Sequence, residues 1–343
     1  MSGPSDEHGG SRRSRQNGDS AYRRPRVPGP RRPDVPRRPP GSNGARPHPA
    51  AEASRPAHRL HTPTGAPLPI LMYHAVSHSP APATHGLSVT PESFAAQLEV
   101  IEELGRTPVT AARLAEAWRG GRPLPRDPVL LTFDDGYEGV HRHALPALAR
   151  HGFTASLFVS TGWLPGRHHA GGELDTMLDW AQVRELAAYG MEIGGHSHTH
   201  PQLDQLTAPR LRFELSHCRE LLAEETGRNP SSFAYPFGYS TRRVREAVRA
   251  CGFAQSLAVN NRLAAPRQGP YALTRLTVRR STSLAEFRHL LQGRSLTVDF
   301  AVDRVLGKGY AAVRAVNRTL RAAGLRPPVG AGESREEGHG TRG

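Results

Sequence analysis

Val129-Leu130-Leu131-Thr132-Phe133-Asp134-Asp135-Gly136 is a run of five apolar or β-branched residues that ends in two adjacent carboxylates and a glycine. A run with no polar alternation reads as a strand buried on both faces, the kind found in parallel sheets. In parallel α/β folds the carboxyl ends of the strands are where loops converge on a site, and the paired aspartates fall there. Neighbouring carboxylates repel unless a cation or a shared proton stabilises them. One can therefore ligate a metal while the other, pointing elsewhere, serves as a base. Asp-Asp-Gly is also an ordinary turn; the buried strand before it favours the functional reading.

Similar short runs recur at 70–73, 155–159, 192–194, 232–235, 256–259 and 273–278. Helical patterns with start signals lie between most of them. Thr90-Pro91-Glu92 opens 94–104, Asp179-Trp180 leads into 183–187, Thr207 into 211–222, and Ser240-Thr241 into 244–250, which closes at Gly252. Strands alternating with helices imply parallel strands joined by crossover helices, and seven such strands suit a closed or nearly closed barrel. Residues 67–292 supply enough chain for one such domain.

The next polar cluster, His196-Ser197-His198-Thr199-His200-Pro201, follows the run at 192–194. Imidazoles four residues apart can share a face of a helical turn and converge on a cation, which selects His196 and His200 and leaves His198 pointing away. A histidine-rich surface loop is the plain alternative, weakened by the aspartates at another strand end. With Asp135 the two histidines form a two-histidine, one-carboxylate set that leaves coordination positions for water and substrate, as a catalytic site needs. One divalent metal is expected, zinc first, with cobalt, nickel or iron compatible with the same ligands. Phe233-Ala234-Tyr235-Pro236-Phe237-Gly238-Tyr239 turns sharply out of a strand. There the Phe237 backbone N–H is a candidate oxyanion donor, and Tyr235, Pro236 and Gly238 are candidates for contact with substrate. His74, ending the run at 70–73, is a candidate general acid, although a lone strand-end histidine is more often structural.

At these residues the sequence resembles the polysaccharide deacetylases, also called NodB-homology proteins or carbohydrate esterase family 4. Thr132-Phe133-Asp134-Asp135-Gly136-Tyr137 looks like the first family motif, His196-Ser197-x-x-His200 like the second and Tyr235-Pro236-Phe237-Gly238 like the third, in the expected order. The resemblance implies a distorted (β/α)7 barrel, Asp134 as general base, and Asp135, His196 and His200 as metal ligands. It also implies a carbohydrate substrate, with removal of N-acetyl groups from an N-acetylglucosamine-type polysaccharide or glycan as the reaction. Pro69-Ile70-Leu71-Met72-Tyr73-His74 resembles the subgroup acting on poly-N-acetylglucosamine, in which the acid histidine lies on the N-terminal strand, and so gives His74 that role. Two positions depart from the family. Ala234 stands where many members carry an arginine, and Leu273-Thr274-Arg275-Leu276-Thr277-Val278 lacks the histidine of a common late motif. The second absence supports His74; the first leaves open what holds Asp134. An O-acetyl esterase or another amide deacylase would use the same site, and a carbohydrate-binding protein that has lost catalysis is the reading outside enzymology.

Beyond this domain the chain changes character. Residues 1–60 hold 13 arginines against five acidic residues, and 11 of the 31 prolines, and so carry more than half of the formal net charge of +14. With few apolar residues to offset ordering entropy, residues 1–62 are expected to form a disordered Arg/Pro-rich tail. No recognised binding motif accompanies the charge, so no specific nucleic-acid partner is assigned. A helical extension is expected over 293–327, its pattern at 298–325 packing on the outside of the barrel, with peripheral contact to an anionic membrane as the alternative. Residues 328–343 read as a second disordered tail. Cys218 and Cys251 lie in helical patterns as thiols rather than a disulfide framework. No apolar run approaches the roughly 20 residues of a membrane span, and no secretory h-region opens the chain. A cytoplasmic location is the expectation, with the extracytoplasmic placement of the resembling family as the alternative.

Overall fold

The computed structural model describes residues 65–296 and 300. The expected tails at 1–62 and 328–343 and, apart from Phe300, the helical pattern at 298–325 lie outside the described residues. The chain runs through β1 (Ile70–Tyr73), α1 (Pro91–Glu103), β2 (Thr107–Pro108), α2 (Ala111–Trp118) and β3 (Pro128–Phe133). A π-helical turn, Val140–Ala144, then enters α3 (Leu145–His151), followed by β4 (Ser156–Val159), α4 (Trp180–Tyr189), β5 (Glu192–Gly195) and α5 (Ala208–Thr226). β6 (Ser232–Ala234), α6 (Arg242–Ala250), β7 (Gln255–Val259), β8 (Leu273–Thr277) and α7 (Leu284–Gln292) complete it. Among the described residues no helix is long and apolar enough to cross a membrane.

Seven parallel strands close on themselves. β1 pairs with β3 from Ile70↔Leu130 to Tyr73↔Phe133 and with β8 through Leu71↔Leu276, while β3 to β8 follow one another around the ring. The barrel strands are the seven apolar runs of the sequence. β2 is additional: two residues paired to the start of β3, too short for a periodicity to reveal. The helix starts follow the sequence signals. Thr90 accepts the Ser93 N–H, Thr241 accepts the Val244 N–H, and Asp179 forms a capping box with Gln182. Thr207 stands at the α5 start without capping it through its side chain.

Alternate residues of each strand face the lumen and the helices, the period of two that a pleated strand imposes. Ile70, Leu130, Phe158, Ala234, Leu257 and Leu273 meet inside the barrel with Ala111 and Leu114 of α2, which closes the amino-terminal end. Leu71, Leu131, Leu157, Val159 and Leu276 face outward under α1, α3, α4 and α7, in a larger cluster that also takes in Phe300. Each fully buried Leu or Phe of these layers contributes about 1.5–3 kcal/mol. Gly194 makes room for the lumenal ring of Phe158: a Cβ there would lie 2.6 Å from that ring and 2.8 Å from the Ser232 carbonyl oxygen.

Beneath the apolar layer lies a polar one. Glu192 accepts the Ala112 N–H at 2.7 Å, the Ser156 hydroxyl at 2.8 Å and the Ser232 hydroxyl at 2.5 Å. The Gln255 amide donates to the Ala111 carbonyl and the Ser232 hydroxyl. The start of α2 is thus pinned to three strands. Cys218 is buried and Cys251 half-buried, both as free thiols.

Candidate active site

The opposite end of the lumen gathers the chemistry. The β1–β3 register sets His74 beside Asp134, whose N–H donates to the Tyr73 carbonyl at 3.0 Å. Asp135 follows with a left-handed backbone, φ 74°. His196 leaves the end of β5 with its Nε2 3.3 Å from Asp135 Oδ1, and His200 Nε2 lies 3.3 Å from the same oxygen. Asp135, His196 and His200 could hold a divalent metal: one ligand atom from each falls within 4.8 Å of the others. The donor set fits a catalytic metal, and Asp135 Oδ1, the atom at its centre, is buried without a hydrogen-bond partner.

The histidines converge, but not through the helical turn that the spacing suggested. Residues 196–200 form no helical turn. Instead Ser197 and His200 take left-handed backbones, φ 67° and 56°, each costing on the order of 1–3 kcal/mol for a residue other than glycine. The Ser197 hydroxyl accepts the His200 N–H at 3.0 Å and holds the bend. His196 Nδ1–H donates to the Ala234 carbonyl at 2.8 Å, which leaves Nε2 free to face the site. His198 points away, its Nδ1 3.0 Å from the Thr161 hydroxyl.

Arg275 supplies what Ala234 lacks. Fully buried on β8, it grips Asp134 with both guanidinium arms, Nη1 to Oδ1 at 2.6 Å and Nη2 to Oδ2 at 2.7 Å. Burial alone would raise the Asp134 pKa. The Arg275 and His196 charges and the Arg275 hydrogen bonds outweigh it and hold the carboxyl below its ordinary value. Asp135 is likewise held low, with His200 and His196 overcoming burial. Burial pushes His200 down to about 4 and lowers His74, so both rings are neutral at physiological pH. His196 is raised, because the carboxylates of Asp134 and Asp135 outweigh its burial. Arg275 escaped the sequence reading, which saw in its strand only a missing histidine. The available signal was a charge inside a buried run, which has to find a partner.

The third motif shapes the site differently from expectation. Tyr235 is completely buried, its hydroxyl 2.5 Å from Ser256 Oγ and donating to the Tyr271 carbonyl at 2.9 Å, and Pro236 is buried beside it. Neither side chain is presented to a substrate; both anchor the turn. Gly238 is needed there: its φ is 73°, and a Cβ would lie 2.5 Å from Val259. The turn pushes out Phe237, left-handed at φ 59° and 51% exposed, with its ring 4.8 Å from that of His200. Trp163, which sequence reasoning passed over, flanks His200 at 4.7 Å and joins Ala75, Tyr137 and Met177 in an apolar wall. A cavity of about 330 Å³ opens beside this wall between Tyr137, Ser77, His78, Arg142 and His143.

A closed parallel barrel with a candidate Asp-His-His metal site and an ion-paired aspartate at the carboxyl ends of its strands is the frame of a barrel hydrolase. The model of the polysaccharide deacetylase family matches residues 121–256. YxkH of Bacillus subtilis is 26% identical over 251 residues, covering 69% of this chain and 85% of that protein. The poly-β-1,6-N-acetyl-D-glucosamine N-deacetylase of Escherichia coli K12 is 25% identical over 236 residues, 59% of this chain and 35% of its own length, so this chain spans about a third of that relative. The solved structure of the Streptococcus pyogenes deacetylase PplD in complex with acetate shares the fold, with a TM-score of 0.60 at 24% identity over 66% of this chain and 99% of that one.

Proposed function

We propose that this hydrolase removes N-acetyl groups from an N-acetylglucosamine-type polysaccharide, with residues 67–292 as the catalytic unit. One observation carries the reading: Asp134, locked by Arg275, stands 3.9 Å from His196, one of the three residues able to hold a metal. A divalent metal on Asp135, His196 and His200, zinc foremost, would supply Lewis acidity toward the acyl oxygen and lower the pKa of water to about 7.

Asp134 takes the proton of the attacking water. Held ionised and fixed at both oxygens, it needs no reorganisation as the reaction proceeds. The proton that Asp134 takes from water passes to His74, neutral and next to it across the β1–β3 pairing, and His74 as imidazolium delivers it to the departing sugar amine. The Phe237 N–H is offered to the oxyanion at the turn above His200. The Escherichia coli relative's named activity supports the substrate class.

The test is acetate release from N-acetylglucosamine oligomers by the full chain, after EDTA treatment and on add-back of Zn²⁺ or Co²⁺. Asp134→Asn is expected to retain metal while losing on the order of 10³-fold in turnover. Full activity in that variant, or no release with any metal, overturns the reading.

A further inference from the structure

Glu214 lies in the middle of α5 and is fully buried. A carboxylate out of water is costly unless its oxygens are satisfied, and here they are satisfied chiefly by one short loop. Oε2 accepts the His198 N–H at 2.9 Å and the Thr199 N–H at 2.8 Å, while Oε1 accepts the Thr199 hydroxyl at 2.7 Å. The remaining partner, Arg210 at 2.8 Å, is half in water and one helical turn away. Glu214 therefore addresses His198 and Thr199, two of the three residues between His196 and His200, and touches neither ligand.

We propose that Glu214 is the positioning residue of the metal site, holding the loop 196–200 in the shape that brings both imidazoles onto Asp135. The inference rests on the metal-site reading above. The loop has no helix or strand ladder of its own, and its Ser197 and His200 backbones sit in the left-handed region. Two successive amides gathered on one carboxylate oxygen fix the peptide planes between those strained residues. Without that anchor, His200 can relax to an ordinary backbone and carry its Nε2 away from Asp135. The Ser197 hydroxyl restrains only the His200 N–H, from within the loop itself, and the Thr161 and Gly162 N–H groups hold the Ser197 and His198 carbonyls, whereas Glu214 holds the amides that lead into His200.

The experiment measures Co²⁺ and Zn²⁺ affinity by chelator competition, and the visible absorption spectrum of the Co²⁺ form, for the full chain and for Glu214→Ala, Glu214→Gln and Glu214→Asp, with circular dichroism to establish folding. Affinity is expected to fall about 10–100-fold in Glu214→Ala, with an altered Co²⁺ spectrum. Glu214→Gln keeps an oxygen for the two amides and recovers most of the loss. Glu214→Asp keeps the buried charge and its Arg210 partner but withdraws the oxygens, so it decides the matter where the alanine variant fails to fold: a weakened, spectrally altered site is expected. A folded Glu214→Ala or Glu214→Asp with wild-type affinity and spectrum overturns the inference alone. Absence of metal binding by the wild-type chain would overturn the metal-site reading together with it.

Discussion

The barrel lumen is polar at both ends, and the two ends treat their polar groups in opposite ways. At the amino-terminal end, Glu192, Ser156, Ser232 and Gln255 satisfy one another and the backbone at the start of α2. At the carboxyl end, His74 Nδ1, Asp135 Oδ1 and Trp163 Nε1 are buried without a hydrogen-bond partner. An unsatisfied buried polar atom costs about 1–3 kcal/mol, so the carboxyl end keeps groups whose partners must come from outside the protein, while the amino-terminal end satisfies its own. Between them, Arg275 and Asp134 belong to both regimes: paired to each other through both carboxylate oxygens, yet placed where the chemistry is expected.

Substitutions that affect one end and spare the other test this division. The largest effect is expected at the shared pair. Arg275→Met strands a buried carboxylate and should cost about 3–5 kcal/mol in urea unfolding, along with deacetylation. In the wild type Asp134 is held below its ordinary value, so its pairing stabilises the fold above the pH where a free carboxyl ionises and is lost only as the pH falls through the lowered value. With burial opposed only by His196 and His74, the carboxyl rises, and the acidic limb of the pH–rate profile should move upward. Arg275→Lys should rescue little, since one ammonium cannot grip both oxygens; a stable, active lysine variant would show that the bidentate lock is dispensable.

His74→Ala comes next: turnover of N-acetylglucosamine oligomers should fall about 100-fold, against no more than about threefold for an activated aryl acetate whose leaving group needs no proton. Equal losses on the two substrates would make His74 a structural residue. The smallest effect is expected at the far end, where Glu192→Ala should lower stability by about 1–3 kcal/mol while leaving kcat per folded molecule unchanged. A drop in kcat without a drop in stability would erase the distinction between the ends.

The seven barrel strands were legible because strands buried on both faces read as short unbroken apolar runs, and the strand-end position of Asp134, Asp135 and His196 follows from those runs. What stayed hidden depends on geometry that spacing does not carry. His196 and His200 are four residues apart, but a loop with two left-handed residues brings them together. Tyr235 looked like a groove residue because it borders a sharp turn, and only the packed barrel shows its hydroxyl taken up by Ser256 and Tyr271. Glu214 resembles any acidic residue of an amphipathic helix beside Arg212 and Phe213, since its partners are backbone amides 15 and 16 residues earlier. Arg275 was the most accessible of the missed residues: the strand predicted around it had no other way to bury a guanidinium.

The origin of that guanidinium also bears on the order in which the protein assembles. Asp134 and Arg275 are separated by 141 residues, and β8, which carries the arginine, is also the strand that closes the ring against β1. A chain emerging from the ribosome has made all of its metal-binding candidates and the aspartate beside them well before it makes the counter-charge for that aspartate. Closing the barrel and neutralising its interior are therefore one event, and an incomplete chain carries an uncompensated charge in its lumen. Premature termination before Arg275 should give a species that exposes its barrel interior to chaperones and proteases rather than a weakened enzyme.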